Sequence, residues 1–477
     1  MISRARWLAL GALAAWFLYF FGLGQVGFLS TDEPRYAWIG RAMAESGDWI
    51  SPRLYGEVWL EKPPLLYWMT AVGWKLGLRD EWAARLPVAL AALAFLLLFW
   101  WCLMREFGEP TAAASTGILA TCGGWLIYAH VAVTDIPLAV TFGAAMLLAW
   151  RGWLKWAGVS LGLAILAKAL VPVALALPLL WWLRTRWREL LAPLLLTLAV
   201  AGPWYALCYA LHGRLLIDEL IVRHHFSRFF SATAQVLHPQ PFWFYLPVIL
   251  ILLLPWTPLA LAARPQRLWR DERTRFFVVW LGFGLLLFSL SSGKLPGYAL
   301  PLLPAACALL GISLVESGRP RWWLAAVTGL AGALYAAPNE KLLEYVVIGA
   351  SASPITNLGW AGLILGLVVS WRWAGRSFLR TLALMVLLMS GLRHWAAGIA
   401  ERHTARPHAA MAGRVCAEAD LHRAWRYGLS YYAHAAVPDC KVEPRRWRAG
   451  NSDVGLYITD TAPPAAPASP PQAGQAP

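Results

Sequence analysis

The sequence predicts an all-α polytopic membrane protein: a bundle of about thirteen transmembrane helices, with interfacial helices in the first outer loop and a small α/β tail outside the membrane. Three observations carry this. Of 477 residues, 59% are hydrophobic and only 14% charged, with a mean hydropathy of +0.52, whereas a soluble domain carries about 25% charged residues. Apolar runs of spanning length recur along the chain. The 30 Trp residues suit the two membrane–water interfaces. The net charge of +15 would suggest nucleic acid in a soluble protein. Here the basic residues sit largely in short loops between apolar runs, which is the pattern of membrane orientation and anionic head groups. Membrane lipids, and no nucleic acid, are the expected partners.

Taken in order, the candidate spans are 7–29, 82–104, 110–129, 134–150, 156–168, 170–183, 190–211, 242–263, 275–291, 297–314, 322–338, 352–371 and 378–398. The first is too long for a signal-peptide core and has no small-residue cleavage site, so it reads as an uncleaved helix. The fifth and sixth are short for a bilayer that needs roughly 20 residues per helix, and could form one bent hairpin. Arg clusters at 183–190, 263–275 and 371–380 mark the inner side, placing the N-terminus inside and the tail outside. The expected division is a transmembrane domain over 1–400, a small tail domain over 401–461 and a disordered Pro/Ala-rich end over 462–477. Two outer loops are long, 30–81 and 212–241. The first holds two expected interfacial helices, Glu33–Glu45 and Pro63–Leu76. In the tail, Arg423–Tyr427, Leu429–His434 and Val454–Thr459 are the candidate elements. Cys102, Cys122, Cys208 and Cys307 lie in or beside apolar runs and read as small hydrophobes. Cys416 and Cys440 in the tail are either a disulfide, if the tail is outside, or two free thiols.

Chemistry-bearing residues gather on the outer side. Thr31-Asp32-Glu33-Pro34-Arg35-Tyr36 follows the first helix; it is a carboxylate base beside a phosphate-holding Arg, or an Asp N-cap with an acidic first turn. In Glu61-Lys62-Pro63-Pro64, the Pro pair makes a rigid corner, and Lys62 either meets a phosphate or snorkels to head groups. Asp135 stands at the outer end of an apolar helix as an acid or a cap. Arg223-His224-His225-Phe226-Ser227-Arg228 is a phosphate- or metal-binding stretch, or a solvated basic loop. Lys168 is a lone intramembrane cation that wants a partner, and Lys294 and Tyr298 sit in the turn Ser292-Gly293-Lys294-Leu295-Pro296-Gly297-Tyr298. Carboxylates Asp32 and Asp135 are the catalytic candidates. Glu33, Arg35, Lys62, Lys168, Arg228, Lys294 and Tyr298 are the substrate-binding ones. Carboxylates plus several cations at one membrane face suit an anionic, phosphate-bearing substrate arriving from the lipid. A transporter or flippase would show inverted repeats and charges at midplane; the sequence has no visible repeat.

Asp32-Glu33-Pro34-Arg35-Tyr36, Ser46-Gly47-Asp48-Trp49, Glu61-Lys62-Pro63-Pro64-Leu65-Leu66-Tyr67-Trp68 and Ala84-Arg85-Leu86-Pro87 follow one another in an order and spacing that resembles the bacterial aminoarabinose transferases of lipid A. These belong to the same broad GT-C group as the protein O-mannosyltransferases. Asp135, the stretch His224 to Arg228, Pro241-Phe242-Trp243-Phe244-Tyr245 and Lys294-Leu295-Pro296-Gly297-Tyr298 match later landmarks. The resemblance implies a GT-C bundle in a bacterial inner membrane, a periplasmic active site, a polyprenyl-phosphate sugar donor and a lipid A or lipopolysaccharide acceptor. A related transferase moving a hexose or uronic acid to core oligosaccharide or protein is the alternative. The resemblance also implies roles: Asp32 as catalytic carboxylate, Arg35 and Lys62 on the donor phosphate, Arg228 and Tyr298 lining the cavity, and Asp135 as second acid. No cofactor is required by it, although Glu61 with His224 would form a structural divalent-metal site. The tail here is shorter than the lipid A enzymes usually carry.

Overall fold

The computed structural model describes residues 4–226, 240–317, 322–327, 329–330, 377–401, 403–452 and 455–460. Four described helices are long and apolar enough to cross a membrane: Asp80–Phe107, Arg184–His212, Glu272–Leu290 and Pro296–Glu316. Glu109–Thr121 and Gly123–Ala129, which meet at a 57° bend, are together long and apolar enough for a fifth, as a broken span or a re-entrant loop. Shorter apolar helices add Ala9–Phe20, Asp135–Trp150, Val171–Trp182 and Phe242–Leu252. The chain is a multi-pass membrane protein. Burial sorts its spans: 89% of the apolar window of Pro296–Glu316 is covered by protein, against 17% for Arg184–His212. The first is a central helix. The second turns Leu191, Leu194, Leu195 and Leu198 outward, a surface that suits lipid.

Several expected spans are broken, and proline and glycine explain where. The run 7–29 is helical only over Arg4–Ala15 and a wide turn at Trp16–Phe20. It then unwinds at Gly22, whose φ of +71° a residue with a Cβ adopts at a cost. The run 242–263 is helical over Tyr245–Leu252 and resumes as a tight turn at Thr257–Ala262, because Pro255 and Pro258 cannot continue the ladder. The expected pair 156–168 and 170–183 becomes Leu154–Lys168 followed by two short helices, Val171–Leu175 and Leu177–Trp182. The span 378–398 is helical as Phe378–Glu401. Of 322–338 only 322–327 and 329–330 are described, and 352–371 lies outside the described residues.

In the loop after the first helix, helix Asp32–Ser46 ends on Gly47 at φ +75°, a left-handed cap. A hairpin that the sequence did not announce, β1 (Arg53–Leu54) with β2 (Glu57–Val58), follows it. Helix Leu65–Lys75 starts behind Pro63 and Pro64. In the tail, β3 (Val415–Ala417) pairs parallel with β4 (Trp447–Ser452), which pairs antiparallel with β5 (Gly455–Asp460). The two stretches expected at 423–427 and 429–434 are one helix, Arg423–Ala433, and Cys416 is bonded to Cys440. Cys102, Cys122, Cys208 and Cys307 are buried and free.

Candidate active site

Helix Asp32–Ser46 carries Asp32 and Glu33 in its first turn, where the helix dipole favours carboxylates. Thr31 precedes it with no side-chain cap, and Asp32 does not act as the N-cap. Its carboxylate instead accepts from Arg35 Nη2, one turn along. Arg35 Nη1 donates to Glu61 Oε2 at 2.9 Å, and Nε to the Thr31 carbonyl at 3.0 Å. Lys62 Nζ donates to the other Glu61 oxygen at 3.0 Å. Burial works against the charge on Arg35, but Glu61 and Asp32 outweigh it and hold its pKa above the ordinary value. The side chains of Arg35, Glu61 and Lys62 are 10%, 12% and 14% exposed, while Asp32 is 39% exposed. Asp32 is therefore the carboxylate of this group that a substrate can reach. Tyr36 and Tyr67 lie behind it with ring centroids 5.7 Å apart, and burial pushes both phenols well up. The Tyr67 hydroxyl is buried with no hydrogen-bond partner among the described residues.

Glu33, one residue from Asp32, is fully buried and does something else. Its oxygens accept from Arg85 Nε at 2.7 Å and Nη2 at 2.8 Å, from the Leu29 N–H at 2.7 Å and from the Ala132 N–H at 2.8 Å. Arg85 also donates to the carbonyls of Leu23, Val26 and Gly27 at 3.0, 2.6 and 2.9 Å. The unwound backbone after the first helix is thus satisfied by one guanidinium, as buried carbonyls require. Glu33, expected as a substrate contact, has its oxygens engaged in holding the loop.

A second group lies on the neighbouring helices. Asp135, first residue of helix Asp135–Trp150, accepts from Lys168 Nζ at 2.8 Å, and Lys168 Nζ stands 4.5 Å from the Tyr298 ring centroid. Lys168 thereby finds the partner a lone intramembrane cation needs. Lys294, also expected as a substrate contact, sits in a turn of its own. It is buried, its ammonium donates to the carbonyls of Gln240, at 3.1 Å, and Ser291, and burial lowers its pKa. It fastens a turn.

The fold brings the two groups onto neighbouring elements. Glu33 grips Ala132 in the turn just before Asp135. Leu60, next to Glu61, packs in one cluster with Leu166 and Ala169, which flank Lys168. Helix Asp135–Trp150 lies against Pro296–Leu302, the segment carrying Tyr298. Arg228 lies outside the described residues, as does the side chain of His224. Among the described residues no three His, Cys, Asp or Glu side chains could hold a metal ion together, and Glu61 is flanked by two cations. The expected Glu61–His224 metal site thus lies partly outside the described residues, and no step is routed through a metal.

Two participants escaped the sequence reading. Arg85 was visible as a charge inside an apolar run, a placement that is costly and functional by default, yet it entered only as a letter in a motif. The small tail domain also reaches the site: its helix Arg423–Ala433 packs against Asp32–Ser46, with the Tyr427 ring centroid 5.2 Å from Arg35 Cζ.

Comparison with known proteins gives this arrangement a family. The undecaprenyl phosphate-alpha-4-amino-4-deoxy-L-arabinose arabinosyl transferase of Pseudomonas aeruginosa strain UCBPP-PA14 is 33% identical over 345 residues, 66% of this chain and 61% of its own. The transferase of the same name from Erwinia tasmaniensis is 33% identical over 318 residues, 60% of this chain and 56% of its own. The chain thus spans about six-tenths of the length of these curated relatives. Crystal structures of ArnT from Cupriavidus metallidurans superpose with a TM-score of 0.74 when bound to undecaprenyl phosphate, at 23% identity and covering 94% of both chains. In the apo state the score is 0.75, at 24% identity and covering 94% of this chain and 93% of that one. The likeness shows a shared, mostly helical fold. The family model for dolichyl-phosphate-mannose-protein mannosyltransferases matches residues 8–251, which include both carboxylate–cation groups except Tyr298. The chain belongs to the dolichyl-phosphate-mannose-protein mannosyltransferase family.

Proposed function

We propose that this protein is a membrane-embedded, inverting glycosyltransferase that moves a sugar from a polyprenyl-phosphate carrier to an acceptor outside a bacterial inner membrane. The sugar we propose is aminoarabinose and the acceptor lipid A or lipopolysaccharide, in keeping with the names of the curated relatives and with the undecaprenyl phosphate bound by the Cupriavidus protein. The observation that carries the reading is the open cluster in which Asp32 is exposed while Arg35 and Lys62 share Glu61. Three of the five N–H groups of Arg35 are used by Asp32, Glu61 and Thr31. Two are left to meet a donor phosphate beside the Lys62 ammonium.

In the reaction, an acceptor oxygen attacks the anomeric carbon in line. The bond from that carbon to the carrier phosphate breaks, and the charge that grows on the leaving polyprenyl phosphate is balanced by Arg35 and Lys62. Asp32 takes the proton of an acceptor hydroxyl. Where the acceptor is an ionised phosphate, Asp32 orients it instead. Asp135, held by Lys168, is the second acid of the site, and Tyr298 lines it. The outward-facing site, the tail outside and the bundle of about thirteen spans are parts of the same proposal. The Cys416–Cys440 bond supports the tail's placement, since disulfides persist in oxidising compartments such as the periplasm.

Purified protein should transfer sugar from a polyprenyl-phosphate sugar and be inert with nucleotide sugars. Lipid A and core oligosaccharide, analysed by mass with and without the gene, identify the acceptor. Efficient transfer from a nucleotide sugar without a lipid carrier overturns the reading.

A further inference from the structure

Contacts of the tail converge on the two arginines of the first-loop helix. Tyr427 and Tyr431 lie one turn apart on helix Arg423–Ala433, so they share a face. The Tyr431 ring centroid is 4.8 Å from Arg41 Cζ, with Trp38 at 4.4 Å on the same guanidinium, and its hydroxyl donates to Asp80 at 3.2 Å. Tyr432 donates to Glu81. Arg406 donates to the Gly24 carbonyl at 2.6 Å, and Glu401 accepts from the Gly27 N–H at 2.6 Å. These anchors set the helix down so that Tyr427 reaches Arg35.

Arg35 is held along its edges by Asp32, Glu61 and Thr31, and its guanidinium also has rings around it: Tyr427 at 5.2 Å, Trp59 at 5.6 Å and Tyr36 at 5.7 Å from Cζ. Trp59 and Tyr36 come from the first loop; Tyr427 alone of the three comes from the tail. Beside them, burial pushes the Tyr55 phenol up to about 12, with Tyr427, Arg35 and Arg426 as charged or ionisable neighbours. The tail therefore forms a wall of the open cluster. A guanidinium with its edges bonded and its plane set by ring contacts presents its remaining N–H groups in one direction, the preorganisation that phosphate recognition needs.

We propose that Tyr427 is a positioning residue: through its ring face it fixes Arg35 for the donor phosphate, which makes the short tail part of the donor site. This rests on the polyprenyl-phosphate reading above. The test uses the full chain in detergent, titrated with undecaprenyl phosphate, alongside steady-state transfer from the sugar-loaded carrier. Tyr427→Leu keeps apolar bulk without a ring, and Tyr427→Phe keeps the ring without the hydroxyl. We expect Tyr427→Leu to raise both the Kd and the donor KM by about fivefold to tenfold with kcat within about twofold, and Tyr427→Phe to stay within about twofold of the parent. A merely bracing role would lower Tm in Tyr427→Leu and leave Kd and KM unchanged, which overturns the proposal. Equal loss in Tyr427→Phe and Tyr427→Leu also overturns it, because the hydroxyl and not the ring would then matter. Parent protein that does not bind undecaprenyl phosphate overturns the donor reading and this inference together. Parent binding with unaltered Tyr427→Leu binding sinks the inference alone.

Discussion

Asp32 and Glu33 are adjacent in the chain and sit in the same helical turn, yet they belong to two different kinds of ion pair. Glu33 is fully buried, and its oxygens accept two bonds from Arg85 and two from backbone N–H groups. Asp32 is partly exposed and holds one edge of an arginine whose other edges are shared out. A saturated pair in a dry setting is architecture, because nothing remains with which to meet a ligand. An unsaturated pair at the mouth of the bundle, with a second cation beside it, can exchange partners when a phosphate arrives. The buried pair also serves the open one, since Glu33 ties the start of the Asp32 helix to the turn before Asp135.

The largest expected effect breaks the architectural side. Arg85→Ala leaves the Glu33 carboxylate buried without its cation and strips three carbonyls of their donor, at a cost of about 3–5 kcal/mol. The yield of folded protein and the thermal midpoint in detergent should both collapse. Normal stability would mean that the bridge is ornamental and that the contrast with Asp32 is misdrawn.

Asp32→Asn sharpens the chemical side. It keeps the shape and an oxygen for Arg35 but removes basicity. Turnover should fall by roughly 10²-fold or more, or about 2.7 kcal/mol in barrier, with stability nearly unchanged. Near-parental turnover returns Asp32 to a structural role. The smallest of the three effects concerns the tail. Replacing both Cys416 and Cys440 by Ser opens the loop between positions 24 apart in sequence, which should cost the tail about 2–3 kcal/mol. Proteolysis in detergent should then cut the tail sooner while the bundle stays intact. An unchanged cleavage rate would show that the tyrosine anchors on Arg41, Asp80 and Glu81 suffice without the bond.

Much of this was legible in order along the chain. Apolar composition alone requires a lipid-facing bundle, and the first-loop motifs place Asp32, Arg35, Glu61 and Lys62 within about thirty residues of one another. Helix starts behind Pro63 and Pro64 and a stop at Gly47 follow from local stereochemistry. Gly22 allows the first helix to break, but what sustains the unwound segment is distant in sequence: Arg85, some sixty residues on, satisfies the carbonyls that the segment exposes. Lys294 read as a candidate substrate cation for a similar reason. Only the positions of the Gln240 and Ser291 carbonyls show that two of its three N–H groups are already engaged.

The sequence by itself determined that this is a multi-pass membrane protein with an acid–arginine–lysine cluster outside its first helix, since hydropathy and close spacing are properties of the chain read in order. It could not determine which of two neighbouring carboxylates is free to work, nor that the tail reaches the cluster. Those depend on who else arrives at each oxygen and each guanidinium. Arg85 reaches Glu33 from 52 residues away, and Tyr427 reaches Arg35 from the far end of the chain. Such partners are set by how the helices and the tail close on one another, so only the tertiary structure decided between them.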